Sequence, residues 1–255
     1  MQNTNYSDII LHVPHASTAL PTEYFAVKSE FAPGRTLLAE DSFNLVDYYT
    51  DELFIPIKPR PHIHSIKAPL CRTLCDMERM QEDPLEARNL GILFGGRKKR
   101  DDEYWITEEA DSKLRQLYAD YHIVASMKID SLYRPLILDC HSFSNNATIL
   151  CNMPIAHQCI DICIGFNDDS TRPNDATIQA ALNYFEGKGY KVGINVPFCN
   201  AKTFVCNRRY HSLMIEVNKR LYMYEDTLEK KSGEFESLQE DLQGLYSLFD
   251  VDIRS

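Results

Sequence analysis

The chain has 255 residues and a mass of 29.4 kDa, enough for one large domain or two small ones and for a core that needs no disulfide staples. Hydrophobic residues at 44% and charged residues at 25% exclude a disordered tail, a collagen and a disulfide-dense miniprotein. Against 27 Lys and Arg stand 37 Asp and Glu, a formal net charge of −10, which argues against nucleic acid as a partner because phosphate neutralisation needs positive charge.

In chain order, the first strand is expected over Asp8 to His15, a short apolar run that ends in a Pro-His pair. A helical period over Thr36 to Leu53 places Leu38, Leu45, Tyr49 and Leu53 on one face. Two further strands are expected over Leu53 to Pro59 and His62 to Ala68, separated by prolines. A long helix follows over Thr107 to Tyr133, with Thr107 as N-cap and Glu108 and Glu109 in its first turn. Pro135 to Phe143 and Asp161 to Phe166 read as buried strands. A helix over Asn174 to Glu186 separates them from strands over Tyr190 to Pro197 and Leu213 to Val217. The last helix carries Phe235, Leu238, Leu242, Leu245 and Phe249 on one face. Strands alternating with helices predict an α/β three-layer sandwich around a mixed, mostly parallel sheet. No linker, repeat or low-complexity tract divides the chain, so a single domain over residues 1–255 is expected.

No apolar run approaches the roughly 20 residues that span a bilayer. Met1 to Asp8 is polar and has no signal-peptide core, so no membrane association and a cytoplasmic location are expected. The eight cysteines then read as small buried hydrophobes. A four-thiolate site from the spacings Cys71-x3-Cys75 and Cys159-x3-Cys163 is the rival reading, although paired zinc knuckles are usually tighter.

Ligands of open α/β sheets sit at the carboxyl ends of strands. Three expected strands carry candidate groups there: His15, then His141 after Asp139 and Cys140, and Glu216. Two imidazoles and a carboxylate suit a catalytic zinc, which keeps one position open for water. Glu216 sits mid-strand between apolar neighbours, where a charge is costly without a partner or a function. His62 and His64 share a strand face and could grip a metal, but their proline-rich, basic setting favours a solvated edge. Arg72 and Arg79 flank Asp76, as an ion pair or as forks for a ligand carboxylate. The basic run at residues 97–100 reads as a solvated loop, since three acids follow at once. No phosphate-binding glycine loop, nucleophile elbow or His-Glu-x-x-His occurs.

Five segments in order resemble the N-formylglutamate amidohydrolase family, which is related to zinc carboxypeptidases and aspartoacylases. They are Val13 to Ser17 with Pro21 after it, Arg72 to Arg79, Leu138 to Ser142, Asp161 to Gly165, and Met214 to Met223. The resemblance implies a zinc-carboxypeptidase-like sandwich and a Zn2+-dependent hydrolase that cleaves the amide of a small-molecule N-acyl amino acid with an acidic side chain. His15 and His141 then look like metal ligands, Glu216 like the general base, and Arg79, with Arg72 beside or behind it, like the grip on the substrate carboxylate. Related peptidases place a ligand Glu three residues after the first His, where this chain has Thr18. The resemblance implies an acid from the following helix instead, with Asp41 as the choice and Glu40 behind it. Asp139 shares a strand face with His141 and could orient a ligand ring. Glu78 stands where family members tend to have Asn. A carboxylate there would repel that of the substrate, which weighs against N-formylglutamate itself more than against the hydrolase class.

Two other functions compete. One is a catalytically silent relative that binds a small acidic ligand. The other is a thiol hydrolase using Cys140 beside His141, which strand alternation disfavours because neighbours face opposite sides. The oligomeric state is not legible in the chain.

Overall fold

The structure is a computed structural model and describes residues 6–26, 45–81, 91–93, 99–100, 103–104, 106–145, 154, 157, 159–201 and 204–249. Six strands form the main sheet: β1 (Asp8–Val13), β2 (Ile63–Lys67), β5 (Pro135–Phe143), β6 (Ile162–Gly165), β7 (Val192–Ile194) and β8 (His211–Asn218). Their order is β2-β1-β5-β8-β6-β7. Neighbours run parallel except for β6 against β8. The sheet is therefore mixed and mostly parallel, as expected. A separate two-stranded ribbon pairs β3 (Lys99–Arg100) with β4 (Glu103–Tyr104), where the basic run was expected to be loop.

Among the described residues the α-helices are α1 (Thr50–Phe54), α2 (Glu108–Ser131), α3 (Asp175–Gly187) and α4 (Glu234–Leu245). Thr107 caps α2 by accepting from the Ala110 N–H, and Asn174 caps α3 by accepting from Thr177. No helix among the described residues is long and apolar enough to cross a membrane.

Alternation along the strands sorts the side chains into two layers. Ile9, Leu11, Val13, Leu136, Leu138, Cys140, Leu213, Ile215 and Val217 face one side and bury against α1, α3 and α4. Ile10 and Ile137 face the other and pack with Ala125 and Ile129 of α2. Asp139, His141 and Glu216 lie on that second face by the same alternation, toward the carboxyl ends of β5 and β8. A further apolar cluster around Leu20, Phe25, Leu74, Leu114 and Tyr118 takes in Cys71 and Cys75, both buried and free.

Three expectations need correction. Leu53 to Pro59 is not a strand: Leu53 and Phe54 end helix α1, and Pro56 and Pro59 offer no N–H to a ladder. Half of the expected helix over Thr36 to Leu53, residues 36–44, falls outside the described residues. Within them it is interrupted at Tyr49, whose φ of 65° is left-handed, and α1 starts only at Thr50. The strand expected over Tyr190 to Pro197 shrinks to Val192–Ile194, because Asn195 turns to φ 52° and Pro197 cannot donate.

Candidate active site

His15 follows β1 by two residues, and its carbonyl accepts from the Asp47 N–H at 2.9 Å, tying the turn after the strand to the entry of α1. His141 sits on β5 directly opposite Glu216 of β8, and Cys163 of β6 pairs with Glu216 on its other side. The two imidazole centroids lie 5.1 Å apart, so the sheet brings the expected ligand pair together.

The turn over Cys71 to Arg79 supplies the rest. Leu74 and Cys75 donate back to the Cys71 carbonyl, and the apolar side chains of Cys71, Leu74, Cys75 and Met77 anchor the turn in the cluster under it. That leaves Arg72, Asp76, Glu78 and Arg79 directed at the histidines and at one another. Asp76 Oδ1 accepts from His15 Nε2 at 2.9 Å and from the Glu78 N–H at 3.0 Å. Its Oδ2 takes Arg72 Nη2 at 2.9 Å and Arg72 Nε at 3.2 Å, and lies 3.7 Å from Arg79 Nε. Burial works against the Asp76 charge, but Arg72 and His15 outweigh it and hold the carboxyl well below the usual range.

Carboxylates meet the imidazoles on both edges. Asp47 Oδ2 lies 3.0 Å from His141 Nδ1 and 3.6 Å from His15 Nδ1. Glu78 Oε1 lies 3.0 Å from His141 Nε2, and its Oε2 lies 3.5 Å from His15 Nε2. The Glu78 contact to His141 has the distance of a hydrogen bond without its alignment, so His15 Nδ1 and His141 Nε2 are both buried without an aligned partner. His15, Glu78 and His141 form a buried group that could hold a metal ion.

Glu216 is buried, and its Oε2 has no hydrogen-bond partner. Burial pushes its carboxyl up to about 8, with His141 pulling down and Asp47 and Glu78 pushing further up. The nearby cations are engaged elsewhere: Lys219 Nζ donates to the Val46 carbonyl at 2.7 Å, and Arg220 pairs with Asp161. A cavity of about 400 Å³ opens over this group, lined by His15, Asp47, Arg72, Glu78, Arg79, His141 and Glu216 together with Leu45, Phe143, Phe198 and Met214.

Some sequence expectations land elsewhere. Asp41 and Glu40 lie outside the described residues. Asp139 does not orient His141: His12 stands opposite it in register on β1 and pairs with it, while Ser212 Oγ donates to its other oxygen at 3.0 Å. Cys140 faces the apolar layer, away from the histidines, and burial pushes its thiol far up, which removes the thiol-hydrolase arrangement. His62 and His64 sit at the β2 edge around Asp8, partly exposed. Among the described residues no thiolate group forms a metal cluster. Asp47 and the organising part of Asp76 escaped the sequence reading. Their signal was a pair of acids buried beside apolar residues, a pattern that the surrounding surface charges mask.

The sequence profile of the N-formylglutamate amidohydrolase family matches residues 7–223. The chain belongs to this family. Among solved structures, an N-formylglutamate amidohydrolase from Ralstonia eutropha JMP134 is similar at 23% identity and a TM-score of 0.69, covering 94% of this chain and 92% of that one. At that identity the likeness speaks for the shared fold. A gene product from Agrobacterium tumefaciens is 18% identical with a TM-score of 0.49, covering 95% of this chain and 91% of the other. No curated protein matches the chain. The family match spans all five segments that carried the resemblance, from the turn at His15 to the strand of Glu216.

Proposed function

We propose that the protein is a zinc-dependent amidohydrolase that cleaves the amide bond of an N-acyl amino acid, with N-formylglutamate, after which the family is named, as the first compound to try. The observation that carries this reading is the buried Glu216 carboxylate, its Oε2 without a hydrogen-bond partner, standing in register with His141 beside the His15–His141 pair.

The donor set fits zinc: His15 Nδ1 is buried without a hydrogen-bond partner, and the His141 imidazole and carboxylates are in reach. Asp76 fixes the proton of His15 on Nε2, which leaves Nδ1 as the ligand atom. Asp47 Oδ2 is the carboxylate oxygen at that nitrogen and at His141 Nδ1. His15, His141 and Asp47 would therefore hold the ion, with Asp47 in the part the sequence reading gave to Asp41, six residues earlier on the same stretch. Glu78 then stands behind His141 Nε2 as its charge partner.

When bound, zinc supplies Lewis acidity at the amide carbonyl and lowers the pKa of water beside it. Glu216 takes a proton from the attacking water and delivers it to the departing nitrogen. The water oxygen bonds to the acyl carbon, the C–N bond breaks, and a carboxylic acid and a free amine leave. Arg79 binds the substrate carboxylate, and Arg72, held by Asp76, keeps the cavity's charge in place.

A silent, ligand-binding relative has one observation in its favour. If Asp47 and Glu78 both joined the histidines on one ion, four protein ligands would close the site. The test is amine release from N-acyl amino acids by the purified protein, before chelation, after it, and after zinc is returned. Turnover that is lost and restored supports the hydrolase. Zinc bound at one per chain with no turnover on any N-acyl amino acid selects the silent reading.

A further inference from the structure

Beside the reacting groups, the lining of the cavity includes the charged Arg72, Glu78 and Arg79, the apolar Phe143, Phe198 and Met214, and the small polar Ser142, Ser144 and Cys199. Phe143 lies two residues beyond His141 on β5, and Met214 two before Glu216 on β8, so both share the face of the reacting groups. The Phe143 and Phe198 rings pack edge to face, with centroids 6.0 Å apart and planes at 68°. Gly165 makes room for Met214: a Cβ there would stand 2.5 Å from Met214 Cε. In the charged group, the Nε and Nη2 donors of Arg72 both go to Asp76, and its Nη1 goes to the Leu45 carbonyl at 3.4 Å. Glu78 places a carboxylate at the imidazole pair itself, 3.0 Å from His141 Nε2.

We propose that the cavity takes an N-acyl amino acid with a single carboxylate and an apolar side chain, and that Glu78 turns away a second carboxylate. This rests on the amidohydrolase reading above and narrows its substrate. The α-carboxylate goes to Arg79. The side chain goes to the Phe143, Phe198 and Met214 surface, where an apolar group loses its water and an acidic one loses its hydration without compensation. A second carboxylate would also share the cavity with the Glu78 charge, where partly buried like charges repel more than in bulk water. The volume of about 400 Å³ suits a molecule of amino-acid size, toward the low end of ligand pockets at roughly 300–1,000 Å³.

The experiment compares N-formylmethionine with N-formylglutamate in two ways: kcat/KM on the zinc-loaded wild type, and calorimetric binding to the zinc-loaded Glu216→Gln protein, which holds substrate without turning it over. N-formylmethionine should be favoured at least about tenfold in both. Glu78→Gln should narrow the ratio by improving N-formylglutamate, and Phe198→Ala should narrow it by weakening N-formylmethionine. Equal or tighter binding of N-formylglutamate overturns the proposal while leaving the hydrolase reading intact. Preferential binding of N-formylmethionine with no turnover of either compound sustains the selectivity and sinks the hydrolase reading. Failure of both to bind overturns both.

Discussion

Asp76 accepts a hydrogen bond from His15 Nε2 at 2.9 Å while its other oxygen holds Arg72, so one buried carboxylate sets both the tautomer of the proposed ligand His15 and the position of a guanidinium. Such partners of ligating histidines typically contribute about 10–100-fold in metal affinity. Asp76→Asn should therefore weaken zinc binding by about that factor, measured by competition with a chromogenic chelator. An unchanged affinity would reduce Asp76 to an ion-pair partner.

Metal content separates the two candidate acids. Asp47→Asn should lower zinc below about 0.2 per chain after dialysis against a weak chelator, because a catalytic zinc has only three protein ligands to lose. Asp41→Asn should retain close to one. The reverse pattern would return the ligand role to Asp41.

Glu216→Gln preserves the shape and removes the base. Turnover should fall by at least about two decades with zinc content and melting temperature retained. Loss of zinc instead would make Glu216 a ligand, and unchanged turnover would remove it from the mechanism.

Arg79 lines the cavity, with its Nε 3.7 Å from Asp76 Oδ2. Losing a charge-assisted contact to the substrate carboxylate should cost about 2–4 kcal/mol, so Arg79→Ala should lower kcat/KM by about two to three decades. Full efficiency on every N-acyl amino acid tested would show that the arginine has another task.

Cys140 lies in the apolar layer, its Sγ 3.1 Å from the Leu138 carbonyl. Cys140→Ala should leave kcat within about threefold and lower stability by about 1 kcal/mol through the small cavity left behind. A collapse of turnover in a folded, zinc-loaded variant would bring back a thiol mechanism.

By itself the sequence determined the layered α/β architecture, because its apolar runs and helical periods are long and strongly patterned. Pro135–Phe143 and the capped helix after Thr107 emerge as expected. It also singled out His15, His141 and Glu216, since polar residues embedded in apolar strands stand out against their neighbours. The tertiary structure decided what strand patterning cannot carry. Asp139 and His141 share a face, yet register on β1 gives Asp139 to His12. Asp47 and Asp76 reach the histidines from turns, where no period marks which way a side chain points. Glu78 meets His141 across 63 positions of chain, since 141 − 78 = 63, and a contact of that span follows from how the turn folds over the sheet rather than from local pattern.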